Sequence, residues 1–244
     1  HAASSKYVNA VLRNIARSKE NLPYPDKNKD TAHYLSIKYS HPLWMVKDWL
    51  LRFGEEFTER LLKANNDVAR FTVRVNDLKI SKEELIDMLT GDGFEVENGK
   101  YLDEALIIKN PSAVQKMGAF AKGYFQVQDE SSMLVAKVLD PKPGETVLDV
   151  CSAPGGKSTH IAQIMKNRGT VISRDIHEHK IKLIEQAKER LGLEIIKIEV
   201  FDAAVLDSNL VGKIDRVLVD APCTGFGIIR RKPDIKWSRN LEDK

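Results

Sequence analysis

Two stretches of this sequence combine reactive residue types with a spacing that brings them together. The first is ETVLDVCSAPGGKSTHI, Glu145 to Ile161. Thr146 to Val150 is a short apolar run carrying an acid, the pattern of a buried parallel strand. Cys151, Ser152, Ala153, Pro154, Gly155 and Gly156 then form a tight turn, and Lys157 to Met165 carries Ile161, Ile164 and Met165 at helical spacing. Strand, glycine turn and helix N-terminus make a cofactor seat: glycines let a ligand approach the backbone, and free helix amides attract an anionic group. The second stretch is Asp220-Ala221-Pro222-Cys223, which sets a thiol just past another strand-like run. A thiol there suits covalent addition to an electron-poor ring, the activation that methylation at carbon 5 of cytosine requires.

Spacing selects the cofactor. Gly156-Lys157-Ser158 supplies the second half of a phosphate-binding G-x-x-x-x-G-K-[ST] loop, but its first glycine would fall on Cys151. The dinucleotide pattern G-x-G-x-x-G fails as well, because the only glycines here are adjacent. Downstream, Gly169 to Ile176 reads as a second strand and carries Asp175 nineteen positions after Gly156, near the spacing at which an acid grips ribose hydroxyls. Adenosine held without a phosphate loop points to S-adenosylmethionine. Two alternatives stand beside it: a P-loop-like ATPase with Lys157 on phosphate and Asp220 as the second acid, and an RNA-binding module whose cofactor fold is vestigial.

The elements that position these residues follow from periodicity. Ile195 to Phe201 is a third strand with Asp202 at its end, and Lys213 to Val219 a fourth ending at Asp220. Asp175, Asp202 and Asp220 thus converge on the carboxyl edge of one sheet, where open α/β sheets bind ligands. His177 to Leu191 and Glu130 to Leu139 are helices, the latter with Met133, Leu134, Val138 and Leu139 expected inside. Upstream, Arg70 to Asn76 alternates as a half-buried strand, Ser81 with Glu84 forms a capping box for a helix to Thr90, and Phe94–Val96, Tyr101 and Ala105–Ile108 are further short strands. This alternation resembles a split βαβ sheet, whose open face carries RNA in many proteins; Arg70, Arg74, Lys79, Lys109 and Lys122 are its candidate phosphate contacts. Tyr7 to Ile15 has helical spacing, Glu20 to Asp30 reads as a linker, and Ser40-His41-Pro42 starts a helix broken at Gly54. Ile229 to Arg239, IRRKPDIKWSR, is the densest basic run, with Arg230, Arg231 and Lys232 as RNA contacts.

Composition narrows the setting. Charged residues at 30% and hydrophobic ones at 42% describe a globular chain, and the net charge of +3 is too small to argue for nucleic acid by itself. Two cysteines, Cys151 and Cys223, make neither a disulfide framework nor a metal pair, so a reducing, cytoplasmic location without a metal is expected. No apolar run approaches a membrane span. The chain starts at His1, which suggests a cut from something longer.

The segments VQDESSMLVAKVLDPKPGETVLDVCSAPGGKSTHIA, SRDIHEHK and VLVDAPCTGFGIIRRKPDIKW closely resemble the bacterial 16S ribosomal RNA cytosine-C5 methyltransferases of the Fmu/Sun type. The resemblance implies an α/β fold: a Rossmann-like class I methyltransferase sheet, C-terminally incomplete, preceded by a small α+β RNA-binding module and the end of a helical NusB-like domain. The implied segments are 1–20 for the helical end, 21–64 for linker and helices, 65–125 for the small module and 126–244 for the methyltransferase domain. By the same resemblance, Cys151 to Lys157 hold the methionine and ribose of S-adenosylmethionine. Asp175 takes the ribose hydroxyls, Asp202 lies near the adenine, and Asp220 closes the pocket by the methionine amine and target base. Cys223 matches a proline-cysteine motif that assists product release; the attacking cysteine of the family sits in a later Thr-Cys-Ser motif, beyond this sequence, so the fragment is expected to be inactive. The implied partner is 16S ribosomal RNA, with no membrane; the oligomeric state stays open, with a monomer as the expectation.

Overall fold

The computed structural model describes residues 2–18, 22–109, 111 and 113–243. They divide into two compact units, His1–Ala69 with Thr224–Lys244, and Arg70–Cys223.

In the first unit, α1 spans Ala2–Arg17, α2 Thr31–Tyr39 and α3 Leu43–Asn65. No element is predicted from the sequence over α2; Asp30 starts it, its side chain accepting from the His33 amide at 2.9 Å. Pro42 stands at the N-cap of α3, one residue before the helix rather than within its first turn, and Gly54 (φ 74°, ψ 174°) breaks the helix where expected. Leu35, Val46 and Leu62 form the core, with Trp49 against it. Residues 19–21, which include the first two of the expected linker, lie outside the described residues.

The second unit holds two four-stranded sheets. In the first, β1 (Phe71–Val75), α4 (Lys82–Gly91), β2 (Glu95–Asn98), β3 (Ala105–Lys109), α5 (Gly118–Ala121) and β4 (Phe125–Val127) build an antiparallel sheet ordered β2-β3-β1-β4. The capping box forms as predicted: Ser81 Oγ accepts from the Glu84 amide (3.2 Å) while Glu84 Oε2 accepts from the Ser81 amide (3.0 Å). Tyr101 lies in a bend, not a strand. Val73, Val75, Leu85, Leu89, Leu106, Ile108 and Phe125 make the core between sheet and helix.

The other face of this sheet is closed too, which corrects the expectation of a half-buried strand with an open RNA platform. Thr72 and Arg74 are buried, and Arg74 has no exposure at all, because the helix Gly156–Ile164 lies against it: Arg74 Nε donates to Gln163 Oε1 at 3.1 Å. Arg74 is therefore not a phosphate contact. Lys109 is taken by Glu95 and Glu97, and Lys79 donates to the carbonyls of Lys122 and Arg190. Gly123, at φ 73°, marks the closest approach; a Cβ there would sit 1.9 Å from Arg190 O.

In the second sheet, α6 (Glu130–Leu139), β5 (Thr146–Asp149), α7 (Gly156–Ile164), β6 (Thr170–Asp175), α8 (Glu178–Leu191), β7 (Ile196–Val200) and β8 (Arg216–Leu218) follow in order. All strands are parallel, ordered β7-β6-β5-β8. Parallel pairing, with α7 and α8 as crossovers, places the carboxyl ends of β5, β6, β7 and β8 on one edge. On α6 the buried residues are Met133 and Ala136, whereas Leu134 (39%) and Val138 (84%) are exposed, so the helix is rotated from the face the sequence suggested. Among the described residues no helix is long and apolar enough to cross a membrane.

Candidate active site

Where β5 ends, the chain crosses to β6: the Ser152 amide and hydroxyl both donate to Arg174 O, at 2.8 and 2.9 Å. The Ala153–Pro154 peptide is cis. Gly155 takes φ 97°, and a Cβ there would meet Ile184 at 3.3 Å, so glycine lets the turn lie against α8. Asp175 ties this turn to the start of α8, accepting from the Ala153 amide (3.3 Å) and the His177 amide (3.0 Å). Asp202, at the end of β7, is exposed and accepts from the Ala204 amide at 2.9 Å.

Two neighbouring cavities open along this edge. A cavity of about 420 Å³ is lined by Cys151, Asp175, Ile176, Asp202, Ala203 and Pro222, among others. A smaller one, about 190 Å³, is bounded by Asp149, Cys151, Pro154, Gly156, Lys157 and Asp220. Cys151 borders both. Lys157 Nζ pairs with Asp220 Oδ2 at 2.5 Å. The sequence-predicted residues Cys151 to Lys157, Asp175, Asp202 and Asp220 thus line or flank one edge. Cys223 follows directly on Pro222 and is exposed. Arg230, Arg231 and Lys232 are exposed residues of the other unit, where Arg230 Nε donates to Ala64 O at 3.0 Å. Lys236, within the same basic run, is buried beside Asn66 Oδ1 (3.4 Å) and belongs to the packing instead.

Asp149 was missed as a site residue. It is fully buried, Ser158 Oγ donates to its Oδ2 at 2.6 Å, and its Oδ1 has no partner. Burial pushes its carboxyl up to about 6, opposed by the Ser158 bond, the Cys151 backbone and the charge of Lys157. Its signal in the sequence was an acid closing the strand that leads into the glycine turn. Burial, and then Asp175, Asp149 and Asp220, push the Cys151 thiol up.

A parallel sheet with a glycine turn after its inner strand β5 and acids along its carboxyl edge is the Rossmann-like fold of class I methyltransferases. The family described as "16S rRNA methyltransferase RsmB/F" matches residues 136–244, and the "Methyltr_RsmF/B-like, ferredoxin-like domain" matches residues 41–115. The chain belongs to this RsmB/F methyltransferase family, and the match sets the phosphate-loop alternative aside. It is 45% identical over 245 residues to the probable ribosomal RNA small subunit methyltransferase B of Bacillus subtilis (strain 168), covering 100% of this chain and 54% of the relative. It is 34% identical to the Synechocystis protein with the same description, covering 96% and 52%. Among solved structures it is similar to PH0851, at 36% identity and a TM-score of 0.83, covering 91% of this chain and 50% of that one. NSun6 from Pyrococcus horikoshii, solved with SFG, follows at 25% identity and a TM-score of 0.73, covering 81% and 74%. The chain spans about half the length of the curated relatives it matches.

Proposed function

We propose that this chain forms the cofactor-binding part of an S-adenosylmethionine-dependent enzyme that methylates carbon 5 of a cytosine in 16S ribosomal RNA, acting in the cytoplasm as a monomer. The observation that carries the reading is the gathering of Cys151, Asp175, Asp202 and Pro222 around one cavity at the sheet edge, directly before Cys223. The residues fit the cofactor. The larger cavity has acids suited to a ribose, and the smaller has a buried acceptor, Asp149 Oδ1, without a partner. SFG, an analogue of S-adenosylmethionine, in the NSun6 neighbour supports the same assignment.

When bound, the cofactor supplies an electrophilic methyl group. Asp175 accepts from the ribose hydroxyls, Asp202 flanks the adenine, and the Ser152–Lys157 turn wraps the methionine end. Asp220, steadied by Lys157, closes the pocket towards the base. Carbon 5 of cytosine becomes nucleophilic only after a thiolate adds at carbon 6. Cys151 is unsuited to that attack, since it sits inside the cofactor turn and its surroundings push its thiol up, away from the thiolate. We assign the attack to a further cysteine of the whole enzyme, and to Cys223 the release of the methylated product.

The test is incubation of the whole enzyme with methyl-labelled cofactor and unmodified 16S RNA, followed by mapping of the labelled base. A single 5-methylcytosine is expected; label on another atom, or none, refutes the reading.

A further inference from the structure

Among the described residues, two buried side-chain atoms without a hydrogen-bond partner belong to residues lining the cavities at the sheet edge. They are Asp149 Oδ1, an acceptor, and Gln128 Nε2, a donor, and both residues line the smaller cavity. Gln128 is 7% exposed and Asp149 0%. An unpaired donor and an unpaired acceptor on two residues that line one small cavity complement a zwitterion, whose carboxylate accepts and whose ammonium donates.

The orientation of the Gln128 amide is chemically forced. Its Oε1 accepts from Arg74 Nη1, and a guanidinium carries only donors, so the oxygen must face the arginine and the amide nitrogen must face away from it. Arg74 cannot swing aside. It is fully buried, with Nε donating to Gln163 Oε1 (3.1 Å), Nη1 to Gly156 O (3.0 Å) and Nη2 to Thr159 Oγ1 (3.1 Å). The same guanidinium therefore fixes Gln128 and the first turn of α7, both of which line the smaller cavity. It comes from β1, so the closed face of the antiparallel sheet serves the cofactor edge of the parallel one.

We propose that Gln128 is a cofactor-binding residue that donates to the α-carboxylate of the amino-acid tail of S-adenosylmethionine, and that Arg74 is the positioning residue that aims it. The assignment rests on the cofactor reading above. Asp149 supplies the matching acceptor for the ammonium.

Calorimetry with S-adenosylhomocysteine and with its decarboxylated analogue, which keeps the ammonium and lacks only the carboxylate, tests the assignment. Gln128→Met is expected to weaken S-adenosylhomocysteine by about tenfold to a hundredfold and the decarboxylated analogue by less than about twofold. Arg74→Met should reproduce that selective loss, and the double variant should bind no more weakly than the single ones predict for a shared role, that is, without additivity. Equal losses for both ligands in Gln128→Met, or no loss, overturn the assignment while leaving the cofactor reading in place. Wild-type protein that binds neither ligand overturns both. Should Arg74→Met fail to fold, the ligand comparison with Gln128→Met decides alone.

Discussion

Lys157 Nζ lies 2.5 Å from Asp220 Oδ2, joining the first turn of α7 to the end of β8 across sixty-three positions of sequence. The aspartate side chain is 51% exposed, so the pair contributes little to folding, under about 1 kcal/mol. Asp220→Asn should therefore leave the unfolding midpoint almost unchanged while slowing methyl transfer to 16S RNA by about tenfold or more, since the pocket loses its closing charge. A large drop in stability with normal turnover would assign the pair to the fold instead.

Asp175 offers its carboxylate to the larger cavity while its oxygens also hold the Ala153 and His177 amides. Charge-assisted bonds to two vicinal hydroxyls are worth about 1.5–3 kcal/mol each. Asp175→Asn is expected to weaken S-adenosylhomocysteine about tenfold or more, read by calorimetry, with the circular dichroism spectrum preserved. Unchanged affinity removes Asp175 from the ribose site.

Asp149 makes a pH-dependent trade of stability against binding. Its folded pKa, about 6, is above the ordinary 3.8, so the folded state keeps an extra proton between those values. Stability consequently falls as pH rises through that window and stays lower above it, by up to about 3 kcal/mol. Asp149→Asn escapes the loss. Relative to wild type, its melting temperature should gain steadily from pH 4 to 6.5, while its cofactor affinity falls. A difference that does not change with pH contradicts the buried-carboxyl account.

Arg230, Arg231 and Lys232 are exposed cations at the start of the basic run, Arg239 is exposed at its end, and Lys236 between them is buried. Replacing the three by alanine should weaken RNA binding and flatten the salt dependence by up to about 2, at about 0.7 per single-stranded contact. Filter binding from low to moderate salt reads the slope. An unaltered slope makes the run solvated surface.

Cys223 is exposed and Cys151 is not. If Cys223 releases the product, Cys223→Ala in the whole enzyme should still attack cytosine and accumulate a protein–RNA conjugate that survives denaturing electrophoresis. Loss of both turnover and conjugate would make Cys223 the nucleophile.

The sequence by itself determined the local elements of the cofactor edge. An apolar run, a glycine turn and a helical stripe located β5, its turn and α7 to within a residue, because those patterns are set by backbone sterics and by neighbours close in the chain. Acids at strand ends located Asp175, Asp202 and Asp220 for the same reason, since parallel crossovers return every strand to one edge. Only the tertiary structure decided which faces are wet. The period of β1 puts Thr72 and Arg74 on one side, yet nothing local says that α7 covers that side, and so a presumed RNA contact became a buried guanidinium. Val138, expected inside, is left out for the same cause, and Lys236 of the basic run is sealed in. Asp149, Gln128 and Arg74 lie apart in sequence and meet around α7 and the cavity at its start, because a buried polar group must find partners wherever the fold supplies them. That pairing is a property of three dimensions, and no spacing along the chain encodes it.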